Sequence, residues 1–166
     1  RHFQQLLDPG TIRHLDAIGV TSGWQCLEVG GGAGSIASWL CERVGPAGYV
    51  TATDLEIFFL EKLSHSNLSV LKHDIVSDEL PKDTFDLIHA LAVLEHLPSR
   101  EEVLQKLIAA LKPGGWLLVE DTDHHLTLYT DEPDALFREA MKFIVQTLAD
   151  QSGFDPSCGR QHCSSL

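Results

Sequence analysis

At 166 residues the chain fits one domain with room for a sizeable core, and its 43 % apolar and 22 % charged residues are an ordinary globular balance. Its 24 acidic residues against 12 basic ones leave a formal net charge of −12, a surface that repels phosphate backbones and argues against a nucleic-acid groove. No stretch approaches the run of roughly 20 apolar residues that spans a bilayer. Arg1-His2-Phe3-Gln4 opens on a polar helix, not an apolar signal segment. The expectation is a cytoplasmic protein with no nucleic-acid or membrane partner.

In chain order, residues 11–18 read as a short amphipathic helix, with Thr11 as cap and Gly19 as stop. A strand at 25–29 runs into Glu28-Val29-Gly30-Gly31-Gly32-Ala33-Gly34, and a helix follows over 34–44, ended by Gly45-Pro46. A second strand, 49–53, closes at Asp54. Leu55, Phe58, Phe59 and Leu63 then recur at helical spacing and predict a core-facing helix over 55–64. A third strand, 68–71, is followed by Asp74, and a fourth covers 85–90. Ser99-Arg100-Glu101-Glu102 is a capping box opening a helix to Leu111. Lys112-Pro113-Gly114-Gly115 reads as a turn and 116–120 as a fifth strand, with Trp116 in the core. A last helix covers 133–150. Its apolar stripe (Leu136, Phe137, Ala140, Met141, Ile144, Val145, Leu148) fits core packing or a lid over a cleft equally well. Alternating strands and helices predict an α/β fold, a doubly wound parallel sheet whose ligand cleft lies at the C-terminal strand edges.

The four cysteines suggest no disulfide framework: Cys26 and Cys41 fall in a strand and a helix as small apolar groups. Cys158 and Cys163 flank His162 at a spacing that matches no standard zinc pattern, and no metal site is expected there.

The glycine cluster marks a strand, a tight turn and a helix N-terminus, suited to a nucleotide-like cofactor. By itself it fits two fingerprints. Gly32-Ala33-Gly34-Ser35-Ile36-Ala37 matches the dinucleotide loop, and Glu28-x-Gly30-x-Gly32-x-Gly34 matches the loop that binds S-adenosylmethionine. Three acids, Glu28, Asp54 and Asp74, fall at consecutive strand ends. Each has a bland reading, as Asp54 can cap the next helix and Asp74 can close a turn. Together they suit one extended ligand: Asp54 accepting two ribose hydroxyls, Asp74 an adenine amine, and Glu28 near a cationic amino group.

On these motifs the chain resembles a class I S-adenosylmethionine-dependent methyltransferase of the kind that modifies small molecules. Leu27–Gly34, Thr53-Asp54, His73-Asp74-Ile75, Phe85–Ala90 continuing to Leu94-Glu95-His96-Leu97, and Leu111–Leu117 follow that family's order and spacing over residues 10–122. The resemblance implies a Rossmann-like sheet, S-adenosylmethionine as cofactor and S-adenosylhomocysteine as product. It implies that Gly30, Gly32 and Gly34 pass under the methionine part and that Asp54 and Leu55 hold the ribose and adenine edge. Asp74 would meet the adenine amine with the Ile75 backbone beside it, and the carbonyl of His89 or Ala90 would face the methionine amine.

The family's sheet usually has seven strands, in the order 3-2-1-4-5-7-6. Nothing after residue 151 reads as a sixth or seventh, so the expectation is about five strands in the order 3-2-1-4-5, lacking the last two. Both ends read as those of a fragment. The whole is taken as one domain, 1–166, with a core at 11–122 and a lid or capping helix in 123–166. Strand five then becomes an edge that the last helix or a second copy of the chain is expected to cover.

If the methyl acceptor is a hydroxyl or amine, a base must take its proton. Glu95-His96 and Glu120-Asp121-Thr122-Asp123-His124-His125 supply the candidates His96, Asp121 and His124. Both segments also have plain readings, a helix-start acid with a partly buried histidine and a solvated acidic loop, and the second has metal-ligand chemistry of the right type. Two alternatives stand beside the small-molecule methyltransferase: a cofactor-binding module without turnover, and a nicotinamide-dependent oxidoreductase.

Overall fold

The computed structural model describes residues 2–123, 135–152 and 155–158. Its elements are α1 (His2–Ile18), β1 (Gln25–Val29), α2 (Ser35–Val44), β2 (Tyr49–Asp54), β3 (Leu68–Lys72), β4 (Phe85–Leu91), α3 (Arg100–Ala110), β5 (Leu111–Glu120) and α4 (Ala135–Ser152). The strands form one sheet in the order β3-β2-β1-β4-β5, the order the resemblance implies. The pairs β1–β2, β1–β4 and β2–β3 are parallel. Among the described residues no strand follows β5.

The central strands are apolar because both their faces are covered. Cys26, Leu27, Glu28 and Val29 of β1 are all buried, as are Leu87, Ile88, His89 and Ala90 of β4. On one side Leu15 of α1 and Ile36, Leu40, Cys41 and Val44 of α2 pack against Cys26, Val50 and Leu87. Burial pushes the Cys26 thiol up to about 12 and the Cys41 thiol up to about 11, so both stay protonated at neutral pH. Leu60 packs with Ala37 and Ala52 in a separate cluster.

Four local expectations are corrected. The first helix does not begin at Thr11. It runs from His2 through Pro9, and Thr11 is buried inside it, packed as a core residue where a cap was expected. Proline removes a single backbone bond here, and tertiary context overrides the break that Asp8-Pro9-Gly10 suggests. The helix expected over 55–64 reduces to a 3-10 turn at Leu60–Lys62. Leu55, Phe58 and Phe59 are exposed, and Leu60 alone is buried. The Asp54 carboxylate accepts the Glu56 N–H at 3.0 Å, a local turn of the kind that also caps helices, but no run of helix follows it. Third, β5 begins at Leu111 and incorporates Lys112-Pro113-Gly114-Gly115. Gly114 takes φ +82°, so the bend is absorbed within the strand, and Lys112 Nζ reaches Asp86 at 2.7 Å on β4. Fourth, Trp116 is half exposed on β5 and is not a core residue.

The chain divides into two compact units. One comprises the described residues up to Leu91 with Glu101–Val119, and the other Ala92–Arg100 with the described residues from Glu120 on. In the second, Val145 of α4 is buried while Ala140, Phe143 and Ile144 are exposed. The side chains of Leu136, Phe137, Met141 and Leu148 lie outside the described residues.

Candidate functional site

The first unit gathers the cofactor candidates at the C-terminal ends of β1, β2, β3 and β4. The loop after β1 turns through three left-handed glycines, Gly30 at φ +68°, Gly32 at +55° and Gly34 at +84°. A side chain at Gly34 would put its Cβ 2.5 Å from Leu63 Cδ1, a flexible side-chain end that can shift, so the left-handed backbone is the main demand for glycine there. Gly31 N–H donates to the Thr53 carbonyl at 2.9 Å, and Gly34 N–H to the Gly31 carbonyl at 2.8 Å. The loop is therefore stitched to β2 before it enters α2.

Asp54 completes the stitching. Its Oδ2 accepts the Gly32 N–H at 2.9 Å while Oδ1 accepts that of Glu56. The carboxylate is half-buried, held in one orientation, and keeps lone pairs for a further donor. The exposed Leu55 follows it. Beyond lie Phe58 and Phe59, edge to face at 5.3 Å, with Lys62 Nζ 3.6 Å from the Phe58 ring centroid.

Asp74 closes a turn after β3. Its Oδ1 accepts the Val76 N–H at 2.9 Å, and its own N–H donates to Asp78 Oδ2 at 2.9 Å. The Val76 hydrogen bond is the largest influence holding this carboxyl below the usual aspartate value. Ile75 is buried, and its carbonyl accepts from Lys106 Nζ at 2.8 Å.

Glu28 and His89 sit opposite each other in the β1–β4 register. His89 Nδ1 lies 2.7 Å from Glu28 Oε2, with both residues almost fully buried. The Glu28 backbone is fixed as well, because its carbonyl accepts from Thr53 Oγ1 at 3.1 Å. The His89 side chain had no role in the sequence reading, where only its carbonyl entered. The available signal was positional, since two polar residues at matching ends of adjacent parallel strands become neighbours. Lys106 carried no sequence signal at all.

The catalytic candidates belong to the second unit. Glu95 is buried, and its Oε2 accepts the Thr122 N–H at 2.9 Å. His96 is about half exposed, with Nε2 3.5 Å from Glu95 Oε1. Asp121 Oδ2 lies 3.7 Å from Cys158 Sγ, and burial reinforced by this carboxylate pushes the Cys158 thiol up to about 12. His124 lies outside the described residues, as do His125, His162 and Cys163. Among the described residues no group of three or more His, Cys, Asp and Glu side chains is arranged to hold a metal ion. No described helix is long and apolar enough to cross a membrane.

The profile of a family described as "Methyltransferase domain" matches residues 2–163. The chain belongs to the S-adenosylmethionine-dependent methyltransferase family. This methyltransferase domain is 28 % identical over 113 residues to a ubiquinone/menaquinone biosynthesis C-methyltransferase of Pseudomonas paraeruginosa, a match covering 63 % of the chain and 44 % of that protein. It is 25 % identical over 121 residues to a sterol 24-C-methyltransferase of Gibberella zeae, covering 64 % of the chain and 31 % of that protein. The match thus spans less than half the length of either relative. Among solved structures, a SAM-dependent methyltransferase from Aquifex aeolicus superposes with a TM-score of 0.62 at 25 % identity, over 85 % of this chain and 77 % of the other.

Proposed function

We propose that the rim formed by the glycine loop, Asp54, Leu55, Asp74 and Ile75 binds S-adenosylmethionine and releases S-adenosylhomocysteine, and that the protein moves the methyl group to a small-molecule acceptor. The observation that carries this reading is the hydrogen bond from Gly32 N–H to Asp54 Oδ2. It ties the strand-end acid to the glycine bend, so one ligand can lie along the loop backbone and still reach the carboxylate with its ribose hydroxyls. Asp74 extends the same rim by one strand, which a dinucleotide reading does not call for.

The residues present fit the donor. Ser35 Oγ is buried at the start of α2 with no hydrogen-bond partner among the described residues, and no described side chain caps that helix. A hydroxyl and unpaired N–H groups at a helix N-terminus suit the carboxylate of a methionine. Gly30, Gly32 and Gly34 keep side chains out of its path, Asp54 accepts the ribose hydroxyls, and exposed Leu55 lies along the adenine edge. Asp74 accepts the exocyclic amine beside the Ile75 backbone. The Glu28–His89 pair lies at the strand ends whose carbonyls, at His89 and Ala90, would face the ammonium.

The donor's contribution is a sulfonium methyl already activated for transfer. The protein's part is to hold and aim it, and proximity with orientation supplies most of the rate. His96, Asp121 and His124 are the residues we propose to take the acceptor's proton. The relatives named for ubiquinone/menaquinone biosynthesis and for sterol 24-C-methylation support a small organic acceptor. A net charge of −12 argues in the same direction, against a nucleic acid.

Titration calorimetry with S-adenosylmethionine, S-adenosylhomocysteine and NADH tests the cofactor. The first two are expected to bind with one site per chain and the third not at all. Binding of NADH alone would overturn the reading.

A further inference from the structure

The segment after β3 folds back on itself. Asp74 N–H donates to Asp78 Oδ2, Val76 N–H to Asp74 Oδ1, and Asp78 N–H to the Asp74 carbonyl, all at 2.8–2.9 Å. With these N–H groups occupied, the carbonyls of Ile75, Val76 and Asp78 converge on one point. Lys106 Nζ occupies it, at 2.8, 3.0 and 2.7 Å. An ammonium has three N–H donors and no acceptor, so three carbonyls satisfy it completely. This lysine comes from α3, 28 to 31 residues further along the chain, and it fills a cation site lined by main-chain oxygens.

The peptide unit between Ile75 and Val76 is gripped from both sides. Its carbonyl oxygen accepts a hydrogen bond from the Lys106 ammonium, and its N–H donates to Asp74 Oδ1. The unit is planar, so fixing the oxygen fixes the direction of the N–H. The positive charge on one side also polarises the bond on the other and strengthens it. The orientation of the Asp74 carboxylate therefore depends on an ammonium that never touches it.

We propose that Lys106 is a positioning residue for adenosine recognition, acting through the Ile75–Val76 peptide to aim Asp74 at the nucleobase. The proposal rests on the assignment of Asp74 and Ile75 to the adenine made above. It predicts that the effect of losing Lys106 runs through Asp74. It also predicts that a small alkylammonium can replace the side chain, whereas arginine, with its planar fork, cannot meet three converging carbonyls.

The test is a double-mutant cycle read by calorimetry with S-adenosylhomocysteine and with adenosine. Lys106→Met is expected to weaken both ligands by about ten-fold or more, the scale of a lost charge-assisted contact, with little change in thermal midpoint. In an Asp74→Asn background the same substitution is expected to cost almost nothing further, because the two act as one unit. Propylammonium is expected to restore the affinity of Lys106→Ala, and Lys106→Arg is expected to stay weak. Lys106→Ala without propylammonium serves if the methionine variant fails to fold. Wild-type affinity in Lys106→Met or in unrescued Lys106→Ala overturns the proposal. So does a loss that simply adds to that of Asp74→Asn, since a general structural prop would behave that way. Failure of the wild-type protein to bind either ligand would instead bring down the cofactor assignment, and this proposal with it.

Discussion

The loops after β2 and β3 begin alike and are anchored differently. Each starts at an aspartate, Asp54 or Asp74, whose Oδ1 accepts an N–H two residues on, from Glu56 at 3.0 Å or Val76 at 2.9 Å. The second oxygen of Asp54 reaches across to Gly32 in the loop after β1. Asp74 makes no such crossing among the described residues. Its segment is closed by Asp78 and tied to α3 by Lys106. The same local turn is thus part of the glycine bend in one place and a bracket held from α3 in the other. A change at Asp54 should disturb fold and ligand together, whereas a change at Asp74 should be felt by the ligand alone.

The largest expected effect lies where the first loop touches the glycine bend. Gly34→Ala must place a Cβ at φ +84° and 2.5 Å from Leu63 Cδ1. Backbone strain and overpacking together should cost about 3 kcal/mol of unfolding free energy, measured by urea titration. Adding Leu63→Ala removes the clash and leaves the strained φ, so only part of the loss should return. Full recovery would show that the left-handed backbone is unimportant there.

Asp54→Ala comes next. It removes the acceptor of two N–H groups as well as the proposed ribose contact, and should weaken S-adenosylhomocysteine by about 2 kcal/mol, roughly 30-fold, by calorimetry. A loss of about 1 kcal/mol in stability should accompany it. Asp74→Ala should weaken the same ligand by at least the roughly ten-fold expected of Lys106→Met and leave the urea midpoint nearly unchanged. If Asp74→Ala destabilised the fold as much as Asp54→Ala does, the contrast between the loops would be gone.

The smallest effect is in titration. The Val76 N–H holds the Asp74 carboxyl below its ordinary value of 3.8. A depressed folded-state value means that the favourable contribution is complete above the ordinary pKa and disappears as pH falls through the lowered one. Carbon-13 NMR of the Asp74 side chain should show a midpoint below 3.8 and no change between pH 8 and 5. A midpoint above 3.8 would mean that the Val76 bond does not form in solution.

Much of the sheet is written locally. Strand periods, the three glycines and the acids after β2 and β3 are short-range signals, and the structure has all of them at the C-terminal rim. The misreadings share a different cause. Leu55, Phe58, Phe59 and Leu63 have helical spacing, yet the segment is held at its start by Asp54 bonds to Gly32 and Glu56, forms only the turn at Leu60–Lys62, and leaves the first three exposed. Trp116 sits in β5, the last strand of the sheet among the described residues, and half of it stays in solvent, because which face of that strand is covered is not set by its own composition. Lys106 and the His89 ring act across 28 or more residues, and no pattern in the neighbouring sequence reports such contacts. Tertiary capture of a polar group is what periodicity cannot register.

Glu28 and His89 carry a further consequence. They brace β1 against β4 with a polar strut at the middle of the sheet, sealed from solvent. With the Gly32–Asp54 bond on the other flank, the strand ends that line the proposed site are cross-linked by the protein's own polar side chains. Association then loses little entropy to ordering the receptor. Its heat-capacity change should be small, set by the ligand's own apolar surface and not by coupled folding.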